Sequence, residues 1–118
     1  MKTIIHVDNS MFFRKIIKSF LAEHGFLGES FSQGTEALEV IARKDVALVI
    51  TGMVLSDMNG WKFIKKIIIT SNVPVIVLTS NTSEAERYGL KALGIKGHIL
   101  KSGAWKEKLL SYLYQFID

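Results

Sequence analysis

The sequence predicts an α/β domain in which five parallel strands form one doubly wound sheet with helices on both faces. Three observations carry that prediction. Five short apolar runs alternate with five segments whose apolar residues recur at helical spacing. The runs are apolar on successive residues, as in strands covered on both sides. Right-handed crossovers between parallel strands then distribute the helices over the two faces. A length of 118 residues without an internal shift in composition predicts one domain over residues 1–118.

Each element has a local reason. Thr3 to Val7 is a β-branched run and reads as a buried strand. Ser10 can cap the helix that follows, in which Phe12, Phe13, Ile16, Ile17, Phe20 and Leu21 recur, and Gly25 supplies a left-handed end. Phe26 to Phe31 reads as a weaker strand, and Gly34-Thr35 opens a short helix whose Ala37, Leu38 and Ile41 share a face. Val46 to Thr51 is a third strand, and Trp61, Ile64, Ile67 and Ile68 mark a helix after the Asn59-Gly60 turn. Pro74 ends that region before a fourth strand at Val75 to Thr79. Thr82 or Ser83 caps a helix through Leu93, which Gly94 closes. His98 to Leu100 is a short fifth strand, and Trp105, Leu109, Leu113, Phe116 and Ile117 line the last helix. Trp61 and Trp105 are expected in the core.

Composition narrows the function classes. There is no cysteine, which removes disulfides and thiolate metal sites. The apolar runs are too short for a signal peptide or a membrane span, so a soluble, cytoplasmic protein is expected. The net charge of +4 comes from scattered lysines, and no block of like charges marks a nucleic-acid tail. One bias stands out. Arg87, Lys91, Lys96, Lys101, Lys106 and Lys108 face a single acid, Glu107, over that stretch. It reads either as a solvated lysine-rich surface or as a face for an acidic partner or phosphate backbone.

A sheet of this kind places its functional crevice beyond the carboxyl ends of the strands, where strand order reverses. Asp8-Asn9, Thr51-Gly52, Thr79-Ser80 and Lys101 end four of the strands and should converge there. Together with Gly34-Thr35-Glu36-Ala37-Leu38 and Met58-Asn59-Gly60, and with the segment from Leu48 to Gly60, they resemble the receiver domain of two-component response regulators over essentially the whole chain. The resemblance implies a flavodoxin-like strand order of 2-1-3-4-5 and a module of phosphorelay signalling. It also implies a pocket in which an aspartate after the third strand takes a phosphoryl group. Two acids after the first strand help hold Mg²⁺, and a Thr or Ser and a Lys complete the site.

This chain departs from that pattern. Gly52 stands at the phosphoacceptor position and Asn9 at the second acid, while Asp8, Thr79 and Lys101 match. Glycine has no nucleophile to form an acyl phosphate. Asp8 alone beside a neutral amide and a lysine should hold Mg²⁺ weakly or not at all, and a direct Lys101–Asp8 bond is expected. The degenerate site therefore predicts a receiver-like, non-enzymatic module without a cofactor, independent of phosphorylation and acting through protein–protein contacts. The implied partner is a histidine kinase, an output domain or a second copy, with no direct nucleic-acid or membrane binding.

Asp57 is a candidate displaced acceptor, although a loop acid there is an ordinary turn former; a substitution introduced at Gly52 is the other way to a working regulator. A flavin- or nucleotide-binding flavodoxin-like protein is a remote alternative, because Asn9-Ser10-Met11-Phe12-Phe13 has bulky rings and no glycine where phosphate would sit. His98 occupies the family's aromatic switch position and reads as a partly exposed edge-strand residue or a pH-sensitive contact. Ser102-Gly103 replaces the family's proline and predicts a trans bond after Lys101. His6 and His24 lack metal-ligand company and read as structural or solvated. Tyr88, Lys91, Lys96 and Tyr112 are candidates for an interface on the fourth helix, fifth strand and fifth helix, with Tyr114 nearby.

Overall fold

Aliphatic and β-branched runs build the sheet, and the capped amphipathic segments between them return the chain across its faces. In a computed structural model, which describes residues 2–117, the elements are β1 (Thr3–Val7), α1 (Met11–Glu23), β2 (Gly28–Phe31), α2 (Gly34–Arg43) and β3 (Val46–Thr51). They continue as α3 (Gly60–Thr70), β4 (Val75–Thr79), α4 (Glu84–Leu93), β5 (Gly97–Leu100) and α5 (Trp105–Phe116). All strand pairs are parallel, in the order β2-β1-β3-β4-β5. Strand order reverses between β1 and β3, so the crevice beyond their carboxyl ends lies between Asp8 and Gly52.

The core has two layers. Ile5, Val7, Val49, Val75 and Val77 pack under α2, α3 and α4 with Ala37, Phe63, Ile64, Ile67 and Leu90. Ile4, Leu48, Ile50, Ile76, Leu78 and Ile99 pack against α1 and α5 with Ile17, Phe20, Leu21, Leu109 and Leu113. Each Val, Leu, Ile or Phe among them, fully buried, contributes roughly 1.5–3 kcal/mol. The caps follow the sequence. Ser10 accepts from the Phe13 amide, Asn59 from Lys62 and Ser83 from Glu86. Gly25 and Gly94 take φ of 79° and 105° after α1 and α4, a conformation that glycine adopts without strain.

Some expectations are corrected. β2 begins at Gly28, and Phe26 lies outside it with its ring 6.0 Å from Tyr114. Phe12 leaves the buried stripe of α1 and is 74% exposed, because its position in the first turn points away from the arc of Ile17, Phe20 and Leu21. Trp61 and Trp105 are half-buried rather than core. Trp61 lies over Gly89, where a β-carbon would come 2.8 Å from the indole, and so bridges α3 and α4 at their flank. Trp105 opens α5 with its ring 5.2 Å from Phe13 and 5.9 Å from Phe20. An indole at a helix end closes the edge of the core and keeps one side in solvent.

Candidate functional site

The crevice begins at the end of β1. Asp8 is 4% exposed. Its Oδ1 accepts from the Ser10 amide at 2.9 Å, and its Oδ2 accepts from Lys101 Nζ at 2.6 Å. Lys101 reaches there because its amide bonds Thr79 O at 2.8 Å, extending β5 beside β4. The ammonium also lies 4.2 Å from the centre of the Phe13 ring. The Arg14 guanidinium donates to Asp8 O at 2.7 Å from α1. The peptide bond after Lys101 is trans, and Gly103 turns the chain at φ 57°.

Gly52 sits beside this pair, its amide bonded to Val7 O at 2.9 Å. A β-carbon there would lie 3.1 Å from Asp8 Oδ2 and 3.2 Å from its Cγ, so the carboxylate has settled against the glycine. Thr79 turns its hydroxyl to Asn81 O at 3.2 Å. Asn9 is exposed, and its amide N–H ties the β1–α1 loop to Val54 O at 3.2 Å. Asp8, Asn9, Gly52, Thr79 and Lys101 thus meet around a crevice of about 240 Å³.

Asp57 is outside it. Its carboxylate accepts from the Gly34 and Thr35 amides at 2.8 and 3.1 Å and from the Thr35 hydroxyl at 2.6 Å, capping α2. The Thr35 hydroxyl bond is the largest influence holding its pKa below the usual aspartate value. Ser56 anchors the same loop through two bonds to Ser32 O. The sequence showed Asp57 as a turn acid and gave no sign of its partner, which is distant along the chain.

His6 was read as structural or solvated, and the structure buries it at 1% exposure. Neither ring nitrogen has a hydrogen-bond partner among the described residues. Burial pushes its pKa down to about 4; Lys101 and Arg14 act in the same direction and Asp8 opposes. A lone imidazole in the run Ile4-Ile5-His6-Val7 was the available signal. His24, by contrast, is exposed and bonds Phe20 O.

The interface candidates occupy a second location. Arg87, Lys91, Lys96, His98 and Tyr112 line a cleft of about 320 Å³ beside β5. Tyr112 is half-buried over Gly97, whereas Tyr88 is 79% exposed and lies outside the cleft lining. His98 is half-buried, and its pKa is lowered by burial and then by Arg87. Among the described residues no three His, Cys, Asp or Glu side chains cluster as metal ligands, and no helix is long and apolar enough to cross a membrane.

The fold agrees with known proteins. The family profile of the response regulator receiver domain matches residues 4–113. The regulatory protein VanRc of Enterococcus gallinarum is 26% identical over 98 residues, covering 83% of this chain and 42% of that protein. A protein-glutamate methylesterase/protein-glutamine glutaminase of Geobacillus kaustophilus is 36% identical over 97 residues, covering 79% of this chain and 28% of that protein. The chain therefore spans less than half the length of these curated relatives. Among solved structures, the chemotaxis protein CheY4 of Vibrio cholerae superposes with a TM-score of 0.87 at 27% identity, covering 99% of both chains. The chain belongs to the response regulator receiver domain family of two-component systems.

Proposed function

We infer that this receiver domain signals without being phosphorylated, through contacts with another protein. The observation that carries the reading is Gly52 at the end of β3, with Lys101 bonded to Asp8 beside it. Acyl phosphate chemistry needs an ionised carboxylate as nucleophile, and glycine offers only hydrogen. Asp57 is not a substitute, because its carboxylate is occupied at the N-terminus of α2. The donor set does not fit Mg²⁺ either. One carboxylate already paired with an ammonium, a neutral Asn9 amide and no ligand at position 52 fall short of the oxygen cage that the ion takes.

In this reading the domain holds one dominant conformation. Receiver domains work with histidine kinases and output domains, and this one would act by docking such a protein or a second copy. The cleft of Arg87, Lys91, Lys96 and His98 beside β5 offers a basic face for that contact. A cytoplasmic location accords with it.

The test is spectroscopic. Beryllofluoride with Mg²⁺, added to the uniformly ¹⁵N-labelled domain, should leave the amide resonances of Gly52, Thr79 and Lys101 and the fluorescence of Trp105 unchanged. Saturable, Mg²⁺-dependent shifts at those amides would overturn the reading.

A further inference from the structure

We propose that the groove between α2 and α3 is where two copies of this chain associate, related by a two-fold axis. The face is distinct from the crevice and from the β5 cleft, and association through it needs neither. α2 and α3 each return from the carboxyl end of one parallel strand to the start of the next, and both pack on the same layer of the sheet. They therefore run side by side in the same direction. Leu38, Ala42, Lys66, Ile69 and Thr70 line a groove of about 420 Å³ between them.

Apolar exposure marks the place. α3 buries Phe63, Ile64 and Ile67 against the sheet. Ile69 follows Ile67 by two residues, about 200° round the helix, and so faces away from that core. It is 82% exposed, more than any other large apolar side chain among the described residues. The packing of α3 has no use for an isoleucine there. Beside Leu38 and Ala42 it belongs to a patch rather than standing alone. The Thr70 hydroxyl is already bonded to Lys66 O at 2.8 Å, so it makes no demand on an occupant.

Charge selects the occupant. The exposed acids Glu36 and Glu39 stand on α2, and the exposed Lys62, Lys65 and Lys66 stand on α3, which has no acid. Among the described residues none of them is in an ion pair; the pairs formed are Lys44–Glu29 and Lys101–Asp8. Arg43, at the far end of α2, donates to Glu39 O within its own helix. A half-turn about an axis normal to this face lays α2 of one protomer over α3 of its partner, running oppositely. The acid-bearing helix then meets the base-bearing helix on both sides of the axis, and Ile69 of each protomer approaches the groove of the other. An isologous interface requires such self-complementarity. An acidic partner would match the lysines and oppose Glu36 and Glu39, and a basic partner would do the reverse. A second copy answers both. Exposed ion pairs add little energy, so the apolar contact sets the affinity and the charges set the orientation. A weak dimer, with a dissociation constant on the order of 10–100 µM, is expected.

Sedimentation velocity of the chain from about 10 µM to about 1 mM, with amide resonances of the ¹⁵N-labelled protein followed over the same range, tests the proposal. A reversible monomer–dimer equilibrium is expected, with concentration-dependent shifts at Glu39, Ala42, Lys66 and Ile69. Ile69→Ser, which alters an exposed side chain, should weaken association at least about tenfold while leaving the circular dichroism spectrum unchanged. Glu39→Lys and Lys66→Glu should each weaken self-association. An equimolar mixture of those two variants should associate at least about tenfold more tightly than either variant by itself.

A monomer at every concentration would overturn the proposal, as would shifts confined to α4, β5 and α5. So would an Ile69→Ser protein that dimerises like the unaltered chain, or a mixture no tighter than its components. Each of these results leaves the phosphorylation-independent reading standing. A phosphoryl adduct would overturn that reading and leave the dimer in place.

Discussion

Replacing Lys101 with methionine keeps an unbranched side chain one atom shorter and removes its charge. In the folded protein this leaves the Asp8 carboxylate, whose side chain is 6% exposed, with the Ser10 amide as its side-chain donor. Removing one member of a buried ion pair costs about 3 kcal/mol, because the other charge stays away from water. Asp8→Asn strands a cation that is 15% exposed and can partly rehydrate, so its cost is smaller, about 1.5 kcal/mol. Asp8→Asn combined with Lys101→Met leaves no charge unpaired. The double variant should therefore be destabilised by about 2 kcal/mol less than the two single changes added together. Urea denaturation followed by circular dichroism, on all four proteins at one ionic strength, measures that coupling. Effects that add to within about 0.5 kcal/mol would mean that the contact does not organise the crevice.

Other predictions follow from the same geometry. His6 binds a proton less readily when folded, its pKa being near 4 against 6.5 for the free side chain. Its contribution is complete above pH 6.5 and is lost as pH falls toward 4, because the unfolded chain takes up the proton first. The loss is roughly 3 kcal/mol, and His6→Leu should remove it; an identical pH slope in both proteins would refute the assignment. Asp57→Ala should lower stability by about 1 kcal/mol through loss of the α2 cap and should not alter the crevice amides. That cap weakens only as pH drops through the depressed aspartate pKa, below the range in which His6 acts. Gly60→Ala places a β-carbon 2.7 Å from Met53 Cα and 2.9 Å from Gly52 O, backbone atoms that cannot rotate away. It should cost about 2 kcal/mol in a denaturation midpoint measurement and disturb the loop beside the crevice; a neutral effect would show that this loop is loose.

Sequence and structure agree where local chemistry decides. The boundaries of β3 and β4 were legible because Val46 to Thr51 and Val75 to Thr79 are apolar runs ended by polar residues at the crevice. Ser10, the Asn59-Gly60 turn, Gly25 and Gly94 marked helix ends in the sequence, and of Thr82 and Ser83 it is Ser83 whose side chain accepts from the first turn of α4. The convergence of Asp8, Gly52, Thr79 and Lys101 followed from parallel topology, which brings together residues distant in the chain.

Tertiary effects were harder to read. Helical spacing placed Phe12 in the α1 stripe, but the arc of the buried face is set by what α1 meets on the sheet and by α5. The half-burial of Trp61 depends on Gly89 of a different helix. The alliance of Asp57 with Thr35 spans two loops, and no spacing rule foretells it. His6, whose ring nitrogens have no partner among the described residues, lies 6.5 Å from the Phe13 ring at a position that the strand pattern treats as one more inward one.

The central claim is that Gly52 leaves the crevice with nothing to phosphorylate. Intact-protein mass spectrometry after incubation with acetyl phosphate and Mg²⁺ tests it most directly. The account predicts an unchanged mass at every time point, alongside a phosphorylated control receiver treated identically. A species heavier by one phosphoryl group, formed only with Mg²⁺ and lost on treatment with hydroxylamine, would contradict it.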